Sequence, residues 1–234
     1  MTAARPTTSA AVAPRAGDAA DVTARQWVAI AEKLRHLRRD RQLSVRKLGA
    51  IAGVSGSLIS AIELGKARPS IGSLLALCDA LGTSIPVLFD EAEGSGITNP
   101  HGTGSSAAIE DKSLSHHVER SAGRSSLELA SGITLERLSR SDDPDMDFLL
   151  ATYEPGAESC SPDRLQTHAG NEYGFVQTGE LTVTIGDETV LLSSGDSIAF
   201  ESTKPHRLVN TGKSPATLLW VNLHKPPSGT AGLR

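Results

Sequence analysis

Residues 43–89 read LSVRKLGAIAGVSGSLISAIELGKARPSIGSLLALCDALGTSIPVLF, and the punctuation of this stretch decides the fold of the first half of the chain. Ser44 can cap a helix over VRKLGAIA, because its hydroxyl can accept from a backbone N–H left free in the first turn. Gly53 then ends that helix as a left-handed cap, a conformation that glycine adopts without the Cβ penalty. Ser55 follows at once and can cap a second short helix, GSLISAIEL, which Gly65 ends. Leu48, Ile51, Val54, Leu58, Ile59 and Ile62 supply the apolar side of the pair, leaving Ser55, Gly56, Ser57, Ser60 and Ala61 outward. Past Pro69 a further helix capped by Ser70 carries Leu74, Leu75, Leu77, Cys78 and Leu81 and stops at Gly82. A closing helical turn over Ser84–Phe89 has Pro86 early, where a missing N–H costs nothing.

Upstream, apolar residues recur at helical spacing from about Trp27 through Ile30, Leu34 and Leu37. The opening residues 1–22, rich in Ala, Pro, Thr and Gly without such a period, are expected to form a disordered tail. Charge is unevenly spread along the 234 residues, whose formal net is -4. Residues 23–90 hold ten Lys/Arg against five Asp/Glu, whereas residues 91–234 hold eleven against twenty. That asymmetry points to a polyanion partner for the first half only. Aromatics make up 3% of the chain, too few for a surface that stacks on single-stranded bases. No run approaches the ~18 apolar residues of a membrane span, and Met1–Ala20 has no signal-like apolar block, so a cytoplasmic location is expected. Cys78 and Cys160 are expected as free thiols in separate modules.

Two short helices joined by a turn of about three residues have helix-turn-helix geometry, in which the second helix enters the DNA major groove. Over about 65 residues the stretch resembles the phage-repressor-like, or xenobiotic-response-element-type, helix-turn-helix family. The resemblance rests on the ordered set Leu48, Gly53, Val54, Ser55, Ile59, Glu63, Gly65, Pro69, Leu74 and Leu81. It implies that Ser55, Gly56, Ser57, Ser60 and Ala61 face base edges in double-stranded DNA. It also implies that Ser44, Arg46, Lys66 and Arg68 lie near phosphates, and that Arg38 pairs with Glu63 between helices. Gly56, Ser57 and Ala61 stand where larger polar side chains often read bases. Recognition would then lean on hydroxyls, thymine methyls and DNA shape. The plainer reading of the serines is solvated helix surface, and of Arg46, Lys66 and Arg68 solubilising charge.

After the Gly/Ser/Pro-bearing stretch 91–108, expected as a flexible linker, the apolar period switches to two. Strand-like runs fall at Gly132–Leu138, Phe148–Tyr153, Tyr173–Gln177, Leu181–Ile185, Thr189–Leu192, Ser197–Phe200, Arg207–Asn210 and Ala216–Leu223, predicting an antiparallel sandwich or barrel. Gly186-Asp187 between LTVTI and ETVLL marks a two-residue hairpin. The segment from Pro155 to Leu223 resembles the cupin superfamily, and most closely cupins fused to helix-turn-helix regulators. Gly156, QTHAGNEYGFVQTGEL (166–181) and GDSIAFESTKPHRLVN (195–210) carry the resemblance. It implies that His168, Glu172 and His206 occupy positions that hold a divalent metal in many cupins, while Gln166 stands where a further histidine would be. Gly179, Gly195 and Asn210 also match the motif frames. Histidines hydrogen-bonded within a polar barrel mouth are the plainer reading. Tyr173 should point to the opposite face from Glu172.

The expected architecture is therefore two-domain. An all-α helix-turn-helix (lambda-repressor-like) DNA-binding domain spans 23–90, and an all-β cupin, or jelly-roll, barrel spans 109–226 before a tail at 227–234. The expected function is a sequence-specific transcription regulator, not an enzyme, acting as a homodimer. Gln166, His168, Glu172 and His206 would contact a small-molecule effector, with no obligatory cofactor although a divalent metal is possible through His168, Glu172 and His206. Two rivals are a cupin metalloenzyme, such as a dioxygenase or isomerase, with an accessory DNA-binding domain, and a cupin serving only to dimerise. An amide ligates borderline metals less well than imidazole, which favours a polar organic ligand over a metal.

Overall fold

The computed structural model describes residues 16–89, 117–121, 124–139 and 145–224. The first half is helical: α1 Ala16–Asp40, α2 Val45–Ala52, α3 Gly56–Glu63, α4 Ile71–Leu81 and a 3₁₀ turn at Pro86–Phe89. The caps fall where the sequence places them. Ser44, Ser55 and Ser70 accept from the N–H of Lys47, Leu58 and Ser73, and Gly53 and Gly82 close α2 and α4 at φ 64° and 55°. Trp27, Ile30 and Leu34 of α1 pack with Leu48, Ile59, Ile62, Leu74 and Leu81 into one buried cluster. Helix α1 starts at Ala16, inside the stretch expected as tail. Its alanine content favours that extension. The rest of the expected tail, the linker at 91–108 and the end segment 227–234 lie outside the described residues.

The second half is two antiparallel sheets. One has the order β1-β2-β3-β9-β4-β7 and the other β6-β5-β8. The strands are β1 Ser126–Glu128, β2 Ile133–Arg137, β3 Met146–Tyr153, β4 Asn171–Thr178, β5 Glu180–Ile185, β6 Glu188–Ser193, β7 Ser197–Glu201, β8 His206–Val209 and β9 Ala216–Leu223. Each of the eight expected strands is present with ends within two residues, and β1 is an addition. Alternating residues of both sheets, among them Leu135, Ala151, Val176, Val183, Leu208 and Trp220, fill the space between them. The β5–β6 hairpin turns at Gly186-Asp187 with Gly186 at φ 59°, the pattern of a primed turn with glycine first. Cys78 and Cys160 are both buried and free.

The two halves touch along α4. Gly72 N–H donates to Ser159 O, Ala130 N–H to Pro69 O, and Arg68 pairs with Glu128 at 2.5 Å. Among the described residues no single helix is long and apolar enough to cross a membrane. Helices α2 and α3 together have the composition, but they are bent by 115° and pack in the core.

Candidate functional site

The helical face comes first. The 115° bend between α2 and α3 lies within the range of a helix-turn-helix. Gly49 sits at the inside of the bend, where a Cβ would come 2.5 Å from Val54 O. Ser44, Arg46, Ser55, Ser57 and Lys66 are exposed, whereas Gly56, Ser60 and Ala61 are half-buried. Ser57 Oγ lies 3.2 Å from Ser55 Oγ, so the two hydroxyls at the start of α3 share a hydrogen. Arg38 holds Glu63 through two bonds of 2.6 and 2.8 Å and donates a third to Leu43 O at 2.7 Å, fixing α1 to α3. Burial alone would favour losing the Arg38 proton, but the bond to Glu63 outweighs it and raises the Arg38 pKa. The Arg68 guanidinium is engaged by Glu128 of β1.

In the barrel, β-pairing brings the expected residues together. Gln166 and His206 form an isolated antiparallel bridge, each N–H donating to the other's carbonyl at 3.0 Å. Glu172 lies on β4 opposite Asn222 and Phe200. His168 precedes β4, held by its N–H to Ser202 O. His168 Nε2 and His206 Nε2 lie 2.5 and 3.0 Å from Glu172 Oε1, and the three side chains are 3%, 0% and 1% exposed for His168, His206 and Glu172. Tyr173 points outward, as the strand period requires.

The second nitrogen of each imidazole is engaged elsewhere. His206 Nδ1 donates to Lys204 O at 2.8 Å and His168 Nδ1 to Ala169 O at 3.2 Å, which turns both Nε2 atoms toward the carboxylate. Two nitrogens around one carboxylate oxygen need a shared positive charge, either a proton or a cation. For His168 burial opposes that charge, but the hydrogen bond it donates to Glu172 and the negative charge there prevail and raise the pKa. For Glu172 burial pushes the pKa up, and the bonds from His168 and His206 more than reverse it. The donor set also fits a divalent cation, since the three ligand atoms all lie within 4.8 Å of one another. Ligands ~2.1 Å from an ion and at right angles stand ~3.0 Å apart, close to the spacing here. Gln166 stands fourth: its Nε2 lies 2.7 Å from His206 Nε2, and its Oε1 has no partner among the described residues.

Sequence reasoning missed the surroundings of Gln166. A cleft of about 710 Å³ separates the α2–α3 turn and α4 from the barrel lip at 160–167. Gln166 is the member of the expected effector set that lines it, beside Asp79 of α4 and Arg164 of the lip. Arg164 crosses the cleft to donate to Gly53 O, the carbonyl at the end of α2. At Gly72 α4 comes close to the barrel, for a Cβ there would lie 3.0 Å from Gln166 Oε1 and 3.5 Å from Cys160 Cβ. Composition and period carry no signal for a contact between side chains so far apart in the chain.

Comparisons with known proteins agree with this division. A helix-turn-helix domain model matches residues 29–92 and a cupin domain model residues 149–222. The chain is 26% identical over 203 residues to the HTH-type transcriptional regulator PuuR of Escherichia coli, and equally to PuuR of Shigella flexneri, covering 86% of this chain and 97% of theirs. Among solved structures, an HTH_3 family transcriptional regulator from Vibrio cholerae superposes with a TM-score of 0.61 at 19% identity, over 87% of this chain and 99% of that one, a likeness of fold. The chain thus carries a helix-turn-helix domain followed by a cupin domain, and over most of its length it is similar to transcriptional regulators of that build.

Proposed function

We propose that this chain binds specific sequences of double-stranded DNA as a homodimer in the cytoplasm and regulates transcription in response to a small molecule held by its cupin half. The observation that carries the reading is the 115° bend that presents the start of α3, with Ser55 and Ser57 exposed, beside exposed Arg46 and Lys66. The first turn of such a helix contacts bases, and the flanking cations contact phosphates. A single eight-residue helix covers too little DNA for useful specificity, which is why a second copy is required. Phe148, Tyr173, Phe175, Leu219 and Val221 form an apolar patch on the outer face of the large sheet, and this patch supports the homodimer.

The reading assigns no catalysis and no obligatory cofactor. His168, Glu172 and His206 are closed off to within 3% of full burial, which supports a structural or sensing cluster over one that turns over a substrate. Where a divalent ion binds, those three side chains hold it, and it supplies the positive charge that a proton otherwise provides. Salt titration of DNA binding tests the proposal. Arg46→Ala and Lys66→Ala should each weaken binding to all sequences and flatten the salt slope by about one unit, while Ser57→Ala shifts preference among sites. Unchanged slopes in both charge variants would remove this face from the interface.

A further inference from the structure

The cleft between the two halves joins three features that none of the elements explains alone. It has the volume of a small-molecule site, about 710 Å³. Its walls carry one charge of each sign, Asp79 on α4 and Arg164 on the barrel lip. At its edge the buried Gln166 Oε1 has no hydrogen-bond partner among the described residues. The triad next to it offers an effector no comparable opening, being at most 3% exposed.

Among the described residues the Arg164 guanidinium has one acceptor, the neutral Gly53 O. A carboxylate adds the full opposite charge that a carbonyl lacks and can take both arms of the guanidinium fork. On the facing wall Asp79 accepts from the Ala169 N–H and keeps acceptor capacity. Together with Gln166 Oε1 it can take the N–H donors of an ammonium. Hydroxyls of Ser70, Ser73 and Thr167 line the rest, and no aromatic side chain is present for stacking.

Resting on the ligand-responsive reading above, and moving its site from the cupin half alone to the cleft that half shares with α4, we propose that the effector binds in this interdomain cleft and is a zwitterion of the amino-acid class, its carboxylate held by Arg164 and its ammonium by Asp79 and Gln166. The readout follows from Gly53. The ligand carboxylate draws Arg164 off the carbonyl that closes α2, and so uncouples the barrel lip from the turn that sets the start of α3. Ser55, the cap of α3, lines the same cleft. Ligand and DNA then compete for, or cooperate through, one short element, as a coupling between two sites requires.

Calorimetric titration of the full chain with α- and ω-amino acids, and with dicarboxylates and diamines of matched length, tests the proposal, with DNA affinity measured in parallel. An amino acid should bind in preference to the dicarboxylate and diamine, at least about tenfold more weakly in Arg164→Ala and in Asp79→Asn. Asp79→Asn should keep the ligand-free DNA affinity and lose its response to ligand, whereas Arg164→Ala, which cuts the link to Gly53 O outright, should hold DNA affinity at its ligand-bound level with or without ligand. Absence of binding by every amino acid tried, with DNA binding intact, overturns the cleft proposal and leaves the DNA-binding reading standing. Binding that ignores Arg164→Ala and Asp79→Asn but fails in His206→Ala also overturns it, placing the ligand within the barrel. Failure of the wild-type chain to bind any DNA strikes the proposed function instead.

Discussion

Glu63 is 7% exposed in its side chain and answered by both arms of Arg38. Removing one partner of such a buried pair leaves the other uncompensated. Glu63→Ala should therefore cost about 3 kcal/mol in urea unfolding, and replacing both residues by apolar ones of similar volume should cost much less. The cluster of His168 and Glu172 gives a pH dependence. His168 has a raised folded pKa, so its contribution is full below the unfolded value of about 6.5 and fades as pH rises through the folded value. Glu172 has a lowered one, so its contribution is present above about 4.3 and fades as pH falls through the folded value. In chelator-treated protein the barrel should be most stable between these limits and lose stability on both sides, and His168→Gln should remove the alkaline limb and weaken the acid one, because Glu172 loses one of the two bonds that lower its pKa. A profile unchanged by that substitution would dissociate the cluster from stability. His168, Glu172 and His206 were legible from sequence through the cupin motif frames they match. The engagement of Arg68 by Glu128, 60 residues away, was not, because an exposed ion pair leaves no periodic trace.

Helix α4 forms for ordinary reasons, a serine cap, a leucine stripe and a glycine stop, and its buried side completes the helical core. Its first turn does something a helix in a free-standing domain would not do, since Gly72 donates its N–H to Ser159 O and faces Gln166 and Cys160 of the barrel. At a free helix surface Gly→Ala stabilises by roughly 1 kcal/mol. Gly72→Ala should show no such gain in the full chain, because the new methyl meets Gln166, and the gain should reappear in a Gln166→Ala background. Additivity of the two substitutions in a double-mutant cycle would contradict the contact. At this scale the sequence was most readable for the helices, whose caps at Ser44, Ser55 and Ser70 and stops at Gly53 and Gly82 are chemical signals. Strand β1 went unseen because three residues at a sheet edge show too little alternation to register. Asp79 and Arg164 likewise carry no pattern that places them across one cleft.

The whole molecule sets a basic helical half on an acidic barrel, with α4 as the hinge of contact and an apolar sheet face turned outward. Charge placed in that face should keep copies apart. Phe175→Glu, at a side chain 41% exposed and remote from the helices, should yield a monomer in sedimentation with the fold retained and DNA affinity reduced by a large factor. A variant that remains dimeric would assign the interface elsewhere. The measurement that bears most directly on the central claim is selection of bound sequences from a random double-stranded DNA library by the full chain, followed by footprinting of the enriched site. The account predicts two related half-sites about 34 Å apart, or a small multiple of it, each protected and each losing its preference in Ser57→Ala. A library that emerges without enrichment, or one isolated half-site protected by a monomer, would contradict it.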